Sequence, residues 1–273
     1  GDVVNIEQLR LSMAGAELTT SGRLANNLDL NWALKAPKLA DILPNAQGSI
    51  TGQGTVKGTQ TAPVIIGNIA GDTLQFSTNR IAKLEADVNV NLGAQQQSTL
   101  DLTATQVNLS GQQWSDITLK GQGSPEQHNL TLVTQEGEVD VSLALNGGWK
   151  APQWAGSLTQ LDITNELAGK WQLGNPVAIT GSAEQASASQ LCLNRQPTGS
   201  GAACVQGSWS TKSGAKGAAT LKEISLALLE PFMPAGTVTK GVLQASSDFS
   251  LPPGKNPIFD VSATVLKGGV SLE

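Results

Sequence analysis

The chain is poor in the side chains on which most enzymes depend. Tyrosine is absent, aromatic residues make up 4% and charged residues 14% of the 273 residues, and His128 is the single histidine. A lone histidine excludes a two-histidine zinc site and a relay of paired imidazoles. No serine occurs in a Gly-x-Ser-x-Gly nucleophile elbow. His128 follows Pro125 and Glu126 in a predicted turn, where we expect it to be solvated. We therefore predict that the chain is not an enzyme, with no catalytic residue, metal or cofactor.

The charge balance argues against nucleic acid as a partner. The formal net charge is −5 and no run of basic residues occurs, whereas contacts to phosphate need clustered Lys and Arg. No stretch reaches the roughly 18 apolar residues of a membrane-spanning helix. The chain opens in mid-pattern and ends in what reads as a strand. We therefore expect a fragment of a longer protein whose membrane anchor lies outside it.

What the sequence does contain is alternation of apolar and polar residues from end to end. Such period-two runs, each followed by a turn signal, predict an all-β antiparallel meander with one apolar face and one wet face. The glycine pairs Gly52 and Gly54, and Gly121 and Gly123, predict turns or bulges. The clearest runs are Leu9–Leu11–Met13, Leu28–Leu30–Trp32–Leu34, Val88–Val90–Leu92, Leu100–Leu102–Ala104 and Val139–Val141–Leu143–Leu145.

Two short segments have helical spacing instead, and each begins a recurring pattern. Leu39, Ile42 and Leu43 share one helical face before Pro44, and Leu226, Leu229 and Phe232 share another, with Pro231 and Pro234 expected to end it. Each helix could cap the end of the sheet or make ordinary core contacts. A strand run follows both helices, with Gly48 and Gly241 at equivalent places. We predict one continuous elongated β-region over residues 1–273, with repeat units that start near 39 and near 226.

The two cysteines, Cys192 and Cys204, flank a predicted turn between two strands. Two cysteines that face each other across a hairpin can form a disulfide that closes a short loop. Two buried free thiols are the alternative. A disulfide would indicate an oxidising compartment such as the periplasm.

The order and spacing of these motifs resemble the repeating unit of TamB and the wider AsmA-like family. The resemblance begins with Leu39-Ala-Asp-Ile-Leu-Pro44 and Gly48-Ser-Ile-Thr-Gly-Gln-Gly-Thr-Val, continues through Ala62-Pro63-Val64, and returns from Leu226 to Pro257. The segment from Leu191 to Trp209, with its two cysteines, is also similar. The match points to the middle-to-C-terminal part of that family's proteins.

Several properties follow from the resemblance alone. It implies a curled, elongated β-sheet that forms an apolar-lined trough in the periplasm, as part of a protein anchored in the inner membrane outside this segment. It implies movement of phospholipids between the two membranes and a barrel partner in the outer membrane, TamA, contacted through regions outside this segment. On an older view, the family assists the assembly of outer-membrane proteins such as autotransporters.

Three hypotheses therefore stand: a lipid conduit, a scaffold that pairs its sheet edges with unfolded strands, and a structural spacer. Alternation alone does not distinguish an open trough from a filled sandwich, and only the resemblance favours the trough. For the conduit, the candidate wall that contacts acyl chains is Val88, Val90, Leu92, Leu100, Leu102, Val139, Val141, Leu143 and Leu145.

Overall fold

In the computed structural model, residues 3–93, 97–197, 199 and 201–272 are described. The chain forms two compact units, Gly1–Asp140 and Val141–Glu273. Strands dominate both units, because β-branched and short polar side chains are accommodated more easily in a pleated strand than in a helix. The prediction of an all-β fold with short helices is confirmed, and every strand pair for which the register is resolved is antiparallel.

The first unit is a meander in which each strand pairs with the next. A 3-10 helix spans Leu39–Asp41. The Asp41 carboxylate accepts a hydrogen bond from Lys38, which lies just before this helix, and raises the pKa of the Lys38 amine. The strands are β1 (Val4–Met13), β2 (Ala16–Leu24), β3 (Asn27–Ala36), β4 (Ala46–Thr59), β5 (Ala62–Phe76), β6 (Asn79–Asn91), β7 (Ser98–Leu109), β8 (Gln112–Ser124) and β9 (Gln127–Gln135).

The second unit begins within β10 (Val139–Lys150), since the division between the units falls after Asp140. Within it, β11 pairs with β12 and β13, both of these pair with β14, and the remaining strands pair in chain order. A 3-10 helix spans Leu226–Phe232. The strands are β11 (Gln153–Asn165), β12 (Gly169–Leu173), β13 (Val177–Gly181), β14 (Gln185–Arg195), β15 (Ala202–Ser210), β16 (Gly214–Ser225), β17 (Thr237–Leu251) and β18 (Ile258–Leu272).

The two 3-10 helices occupy equivalent places. Each connects two paired neighbours, β3 to β4 and β16 to β17, and each is followed by a bulge at a glycine with positive φ: 97° at Gly48 and 109° at Gly241. The second helix is tied to β17, because Glu230 Oε1 accepts hydrogen bonds from the Thr239 amide at 2.6 Å and hydroxyl at 3.1 Å. Pro231 lies inside this helix rather than ending it. The continuity of the chain as one elongated repeat region stays a prediction.

Two expectations about local structure were wrong. Gly52 and Gly54 are not in a turn or bulge, because they lie inside β4 and pair in regular register with both neighbouring strands. Gly121 and Gly123 likewise lie inside β8. His128 is not in the turn but is the second residue of β9, where it is half-buried and its Nδ1 lies 3.1 Å from the Ser124 carbonyl oxygen.

The predicted Cys192–Cys204 disulfide is present. The two residues are directly opposite in the β14–β15 register, with their Cα atoms 4.0 Å apart. They share a sheet face with Thr220 and Ser246 and face away from Val205 and Leu221. The disulfide therefore joins two strands on the polar face.

Replacing Cys192 and Cys204 together by alanine should lower the free energy of unfolding by about 2–4 kcal/mol, because the cross-link no longer restricts the unfolded chain. Denaturant unfolding of the double variant measures this. The apolar face should be unaffected, since the disulfide lies on the other side. Two reactive thiols in the denatured, unreduced wild-type protein, or equal stabilities of variant and wild type, would contradict the assignment.

Candidate functional site

Each strand of the first unit places its apolar residues on one side, and the register aligns them from strand to strand. This apolar face can be followed along any row of paired residues. The row that passes through β2 to β9 contains Leu18, Leu34, Gly52, Ile69, Ala86, Leu102, Leu119 and Leu132. The adjacent row, one residue away, lies on the opposite side and contains Glu17, Lys35, Thr51, Ala70, Glu85, Thr103, Thr118 and Val133.

Charge is confined to the opposite side. Between the bulges at Gly48, Thr73 and Gln106 and the other end of the strands, none of the described positions that the register aligns with Leu34 is Asp, Glu, Lys or Arg. The polar face carries cross-strand ion pairs with N–O distances of 3.3–3.7 Å: Arg10–Glu17, Lys57–Asp29 and Lys120–Asp101. Such exposed pairs contribute only about 0–1 kcal/mol each. All of the residues in these pairs lie on the polar face, so none of them places a charge on the apolar face.

The apolar side chains are not covered as a core would be. The chain exposes 16855 Å², whereas one compact globule of this mass exposes ~11,000 Å², and two of half the mass together ~13,500 Å². Most residues of the apolar face are half-buried by their own sheet neighbours. In the part of the chain that the structure describes, the buried hydrophobic residues are Ala36, Ala46, Ala86, Ala104, Val107, Leu158, Val177 and Cys204.

Within the first unit, three of the buried hydrophobic residues lie at one end of the strands, whereas Ala86 and Ala104 lie in mid-strand. Ala36, Ala46 and Val107 lie at the strand ends that carry the 3-10 helix and the β5–β6 and β7–β8 turns. Backbone bulges mark this end, where φ is positive at Gly48, at Thr73 (47°) and at Gln106 (48°). The apolar face is thus closed by packing near the helix, and beyond Ala86 and Ala104 its larger side chains are half-buried.

The second unit has an apolar face of its own. From β15 to β18, the register aligns Val205 with Ala219, and Leu221 with Ala245, on one side. Lys216 and Asp248 lie on the other side. The last strand is exposed on both sides, with 62% of Phe259 and 70% of Val270 accessible.

The candidate wall residues fall into two groups. Val88, Val90, Leu100 and Leu102 lie side by side on the apolar face of the first unit, all half-buried. Leu92 lies just beyond the end of β6 and is 51% exposed. The other group alternates along β10, where every member is half-buried: Val139, Val141, Leu143 and Leu145. The role of both groups as a lipid wall stays a prediction.

Sequence reasoning missed the first five strands as part of this face. The register places their apolar residues on the same face as those of β6 and β7, and Trp32 is their largest side chain. The sequence does contain a pattern that indicates this part of the face, since Leu28, Leu30, Trp32 and Leu34 alternate with polar or small residues as regularly as the other runs. Gly52 and Gly54 also alternate, which places both glycines on the apolar face beside Trp32.

Over 3–93, 97–197, 199 and 201–272, no group of three or more His, Cys, Asp and Glu side chains is placed to hold a metal ion. One open depression of about 580 Å³ lies on the polar side, beside Asn31, Gln53 and Asn68. In the same part of the chain, no helix is both long enough and apolar enough to cross a membrane.

Fold and site together define an all-β protein whose sheets present an uncharged, uncovered apolar face. The family model described as TamB, N-terminal domain, matches residues 2–273. The chain therefore belongs to the TamB family, which is a transport and assembly module rather than an enzyme family. The match corrects the expected position within such proteins, because it is to the N-terminal domain and not to the middle-to-C-terminal part. No solved structure matches the chain.

Proposed function

We propose that the apolar face of the first unit carries the acyl chains of phospholipids, as one section of a conduit between the inner and outer membranes. The observation that supports this most strongly is the row-by-row alignment of uncharged apolar residues over β2 to β9, left half-exposed by the fold. An acyl chain laid on this face would cover what the protein leaves open. Each buried methylene group contributes about 0.8 kcal/mol to that contact.

The dimensions of the face suit an acyl chain. On β4 it runs from Ile50 to Gly58, which at ~3.3 Å per residue is ~26 Å. The chains of one leaflet need about half of the ~30 Å hydrocarbon core of a bilayer, or ~15 Å. A chain parallel to the strands therefore fits on the face, with its headgroup in water beyond the strand ends.

The chemistry of the face suits passage rather than tight binding. Aliphatic side chains and glycines offer contacts that differ little from one row to the next, so no single position holds a chain strongly. Charges would interrupt such a path, because a carboxylate or amine must lose its water when a chain covers it. On this proposal the ion pairs lie on the polar face because a charge on the path would stop lipid.

The proposal extends to the compartment and the partners. A disulfide favours an oxidising compartment, so we place the chain in the periplasm, as part of a protein anchored in the inner membrane. Its ligands would be phospholipid acyl chains, and contact with the outer-membrane barrel TamA would use regions outside residues 1–273. No catalytic step is assigned to any residue.

A scaffold for outer-membrane proteins is the second candidate, and β18 favours it. This strand pairs with β17, and its side chains are exposed on both sides, including Ile258 at 63% and Val261 at 65%. A partner strand could add beside it by backbone hydrogen bonds. Such a scaffold would act through strand edges, whereas a conduit acts through the sheet face.

Mass spectrometry of the lipids that co-purify with the protein tests the proposal. We expect phospholipids in excess of those bound to a periplasmic protein of equal size purified in the same way. Substitutions on the apolar face should remove them, and a proline in β18 should not. Protein free of lipid whose activity depends only on β18 would favour the scaffold.

A further inference from the structure

Aromatic rings on the apolar face lie on glycines of neighbouring strands. A Cβ atom added to Gly67 would lie 2.5 Å from Trp32 Cζ2, and one added to Gly52 would lie 3.2 Å from Trp32 Cζ3. Gly52 belongs to β4 and Gly67 to β5, so the indole reaches from β3 over both strands. The six-membered ring therefore rests on the backbone of the sheet instead of standing up from it.

The same arrangement recurs independently in the second unit. A Cβ atom on Gly217 would lie 2.5 Å from Phe249 Cζ, and one on Gly207 would lie 3.9 Å from the same atom. Phe249 belongs to β17, and the two glycines belong to β16 and β15 in turn. In both units, one aromatic ring thus covers glycines on the next strand and on the strand beyond it.

Where such a ring covers glycines, the apolar face projects less above the sheet backbone than it does where aliphatic side chains stand. In the first unit, Trp32 pairs with Gly54, which pairs with Gly67, and further along the same row Leu100 pairs with Gly121. Glycines provide no side chain, and an indole lying flat adds only the thickness of one ring. The face is therefore low over β4 and β5 at the level of Trp32, and the row continues through Val88 and Leu100 in the direction in which lipids would move from strand to strand.

We infer that Trp32 and Phe249 are positioning residues for lipid passage: each ring, held flat by glycines, forms a low floor over which acyl chains cross the sheet. The inference rests on the proposed conduit and adds the residues that set its depth. A purely structural role, in which the ring only shields glycine backbone, would make lipid content independent of how the ring lies.

Two glycine substitutions would lift the Trp32 ring. Gly67→Ala places a methyl group against Cζ2, but also 2.8 Å from the Gln53 carbonyl oxygen, which threatens folding. Gly52→Ala is milder, since its methyl meets no atom nearer than 3.2 Å. The matched control is Gly121→Ala on the same face, where the nearest atom is Leu100 Cβ at 3.5 Å, an ordinary contact.

The experiment uses the protein purified from its native host with 5-fluorotryptophan incorporated. The fluorine resonance of Trp32, assigned with Trp32→Phe, reports the ring without reference to lipid. Both Gly67→Ala and Gly52→Ala should shift this resonance, and Gly121→Ala should not. Bound phospholipid should fall roughly tenfold in Gly67→Ala, the change expected when about two methylene groups of each chain lose contact.

Rescue separates obstruction from damage to the fold. Adding Trp32→Leu to Gly67→Ala removes the lifted ring and should restore bound lipid, and the same addition should rescue Gly52→Ala if Gly67→Ala fails to fold. A shifted resonance with unchanged lipid content, or no rescue by Trp32→Leu, would overturn the inference while the conduit stands. Absence of phospholipid from the wild-type protein would instead defeat the conduit itself.

Discussion

Replacing Val88 by aspartate should leave the first unit folded and remove most of its bound lipid. Val88 is half-buried between Gly67 and Leu100 on the apolar face, where water reaches the side chain when no lipid is present. The folded protein should therefore lose only about 1 kcal/mol of stability. An acyl chain would have to displace that water at a cost of about 3 kcal/mol for an aspartate in hydrocarbon, so lipid content should fall roughly 100-fold.

The adjacent residue provides the control for Val88→Asp. Asn89→Asp adds the same charge with almost no change of shape, on the polar face opposite Ile66 and Thr99. Circular dichroism should show native β-structure for both variants, and mass spectrometry should find phospholipid only with Asn89→Asp. A folded Val88→Asp protein with normal lipid content would contradict the assignment of this face.

Replacing Val107 by aspartate should unfold the first unit. Val107 is 2% exposed and lies between Ile81 and Trp114, in the closed part of the same sheet. A carboxylate without a partner at a buried position destabilises by about 3–5 kcal/mol, a large part of the 5–15 kcal/mol that stabilises a typical domain. Loss of the far-ultraviolet β signal and rapid proteolysis of residues 1–140 would report it.

Asn108→Asp is the matched control, because it adds a charge at the next residue with nearly the same shape. Its side chain alternates to the other side of β7 from Val107, opposite Arg80 and Gln113. This variant should unfold at the wild-type denaturant concentration. If Val88→Asp and Val107→Asp both unfolded the unit, the apolar face would be a filled core and not an open one.

The strands were predictable because alternation is a local signal. A residue's side of the sheet follows from its neighbours in sequence, so runs such as Leu100–Leu102–Ala104 were identified without knowledge of their partners. The Cys192–Cys204 disulfide was predictable for the same reason, since both residues and their turn lie within 13 positions. Register between distant strands has no such local signal.

The glycines show where local reasoning failed. Gly52 and Gly54 were assigned to a turn because glycine is common in turns, yet they lie in mid-strand. Contacts with other strands explain why glycine occupies these positions. The Trp32 ring lies where a side chain on Gly52 would extend, and the Ile66 carbonyl oxygen lies where a side chain on Gly54 would extend. His128 was assigned to the turn as well, although β9 begins one residue before it.

Whether the apolar face is covered was also beyond the sequence. Alternation is the same for a strand in a sandwich and for one in an open sheet, because both have one dry side and one wet side. The exposed area of the chain and the half-buried state of Val88, Val90 and Leu102 carry that information. Positive φ at Thr73 and Gln106, which closes one end of the face, has no sequence signal either.

Photo-crosslinking in living cells tests the central claim most directly. A photoreactive amino acid placed at position 88, and separately at position 89, samples the two faces of β6 one residue apart. Mass spectrometry of the irradiated protein should find phospholipid attached at position 88 and not at position 89. Crosslinks from position 88 to protein alone, or equal lipid capture at both positions, would contradict an open apolar face that carries acyl chains.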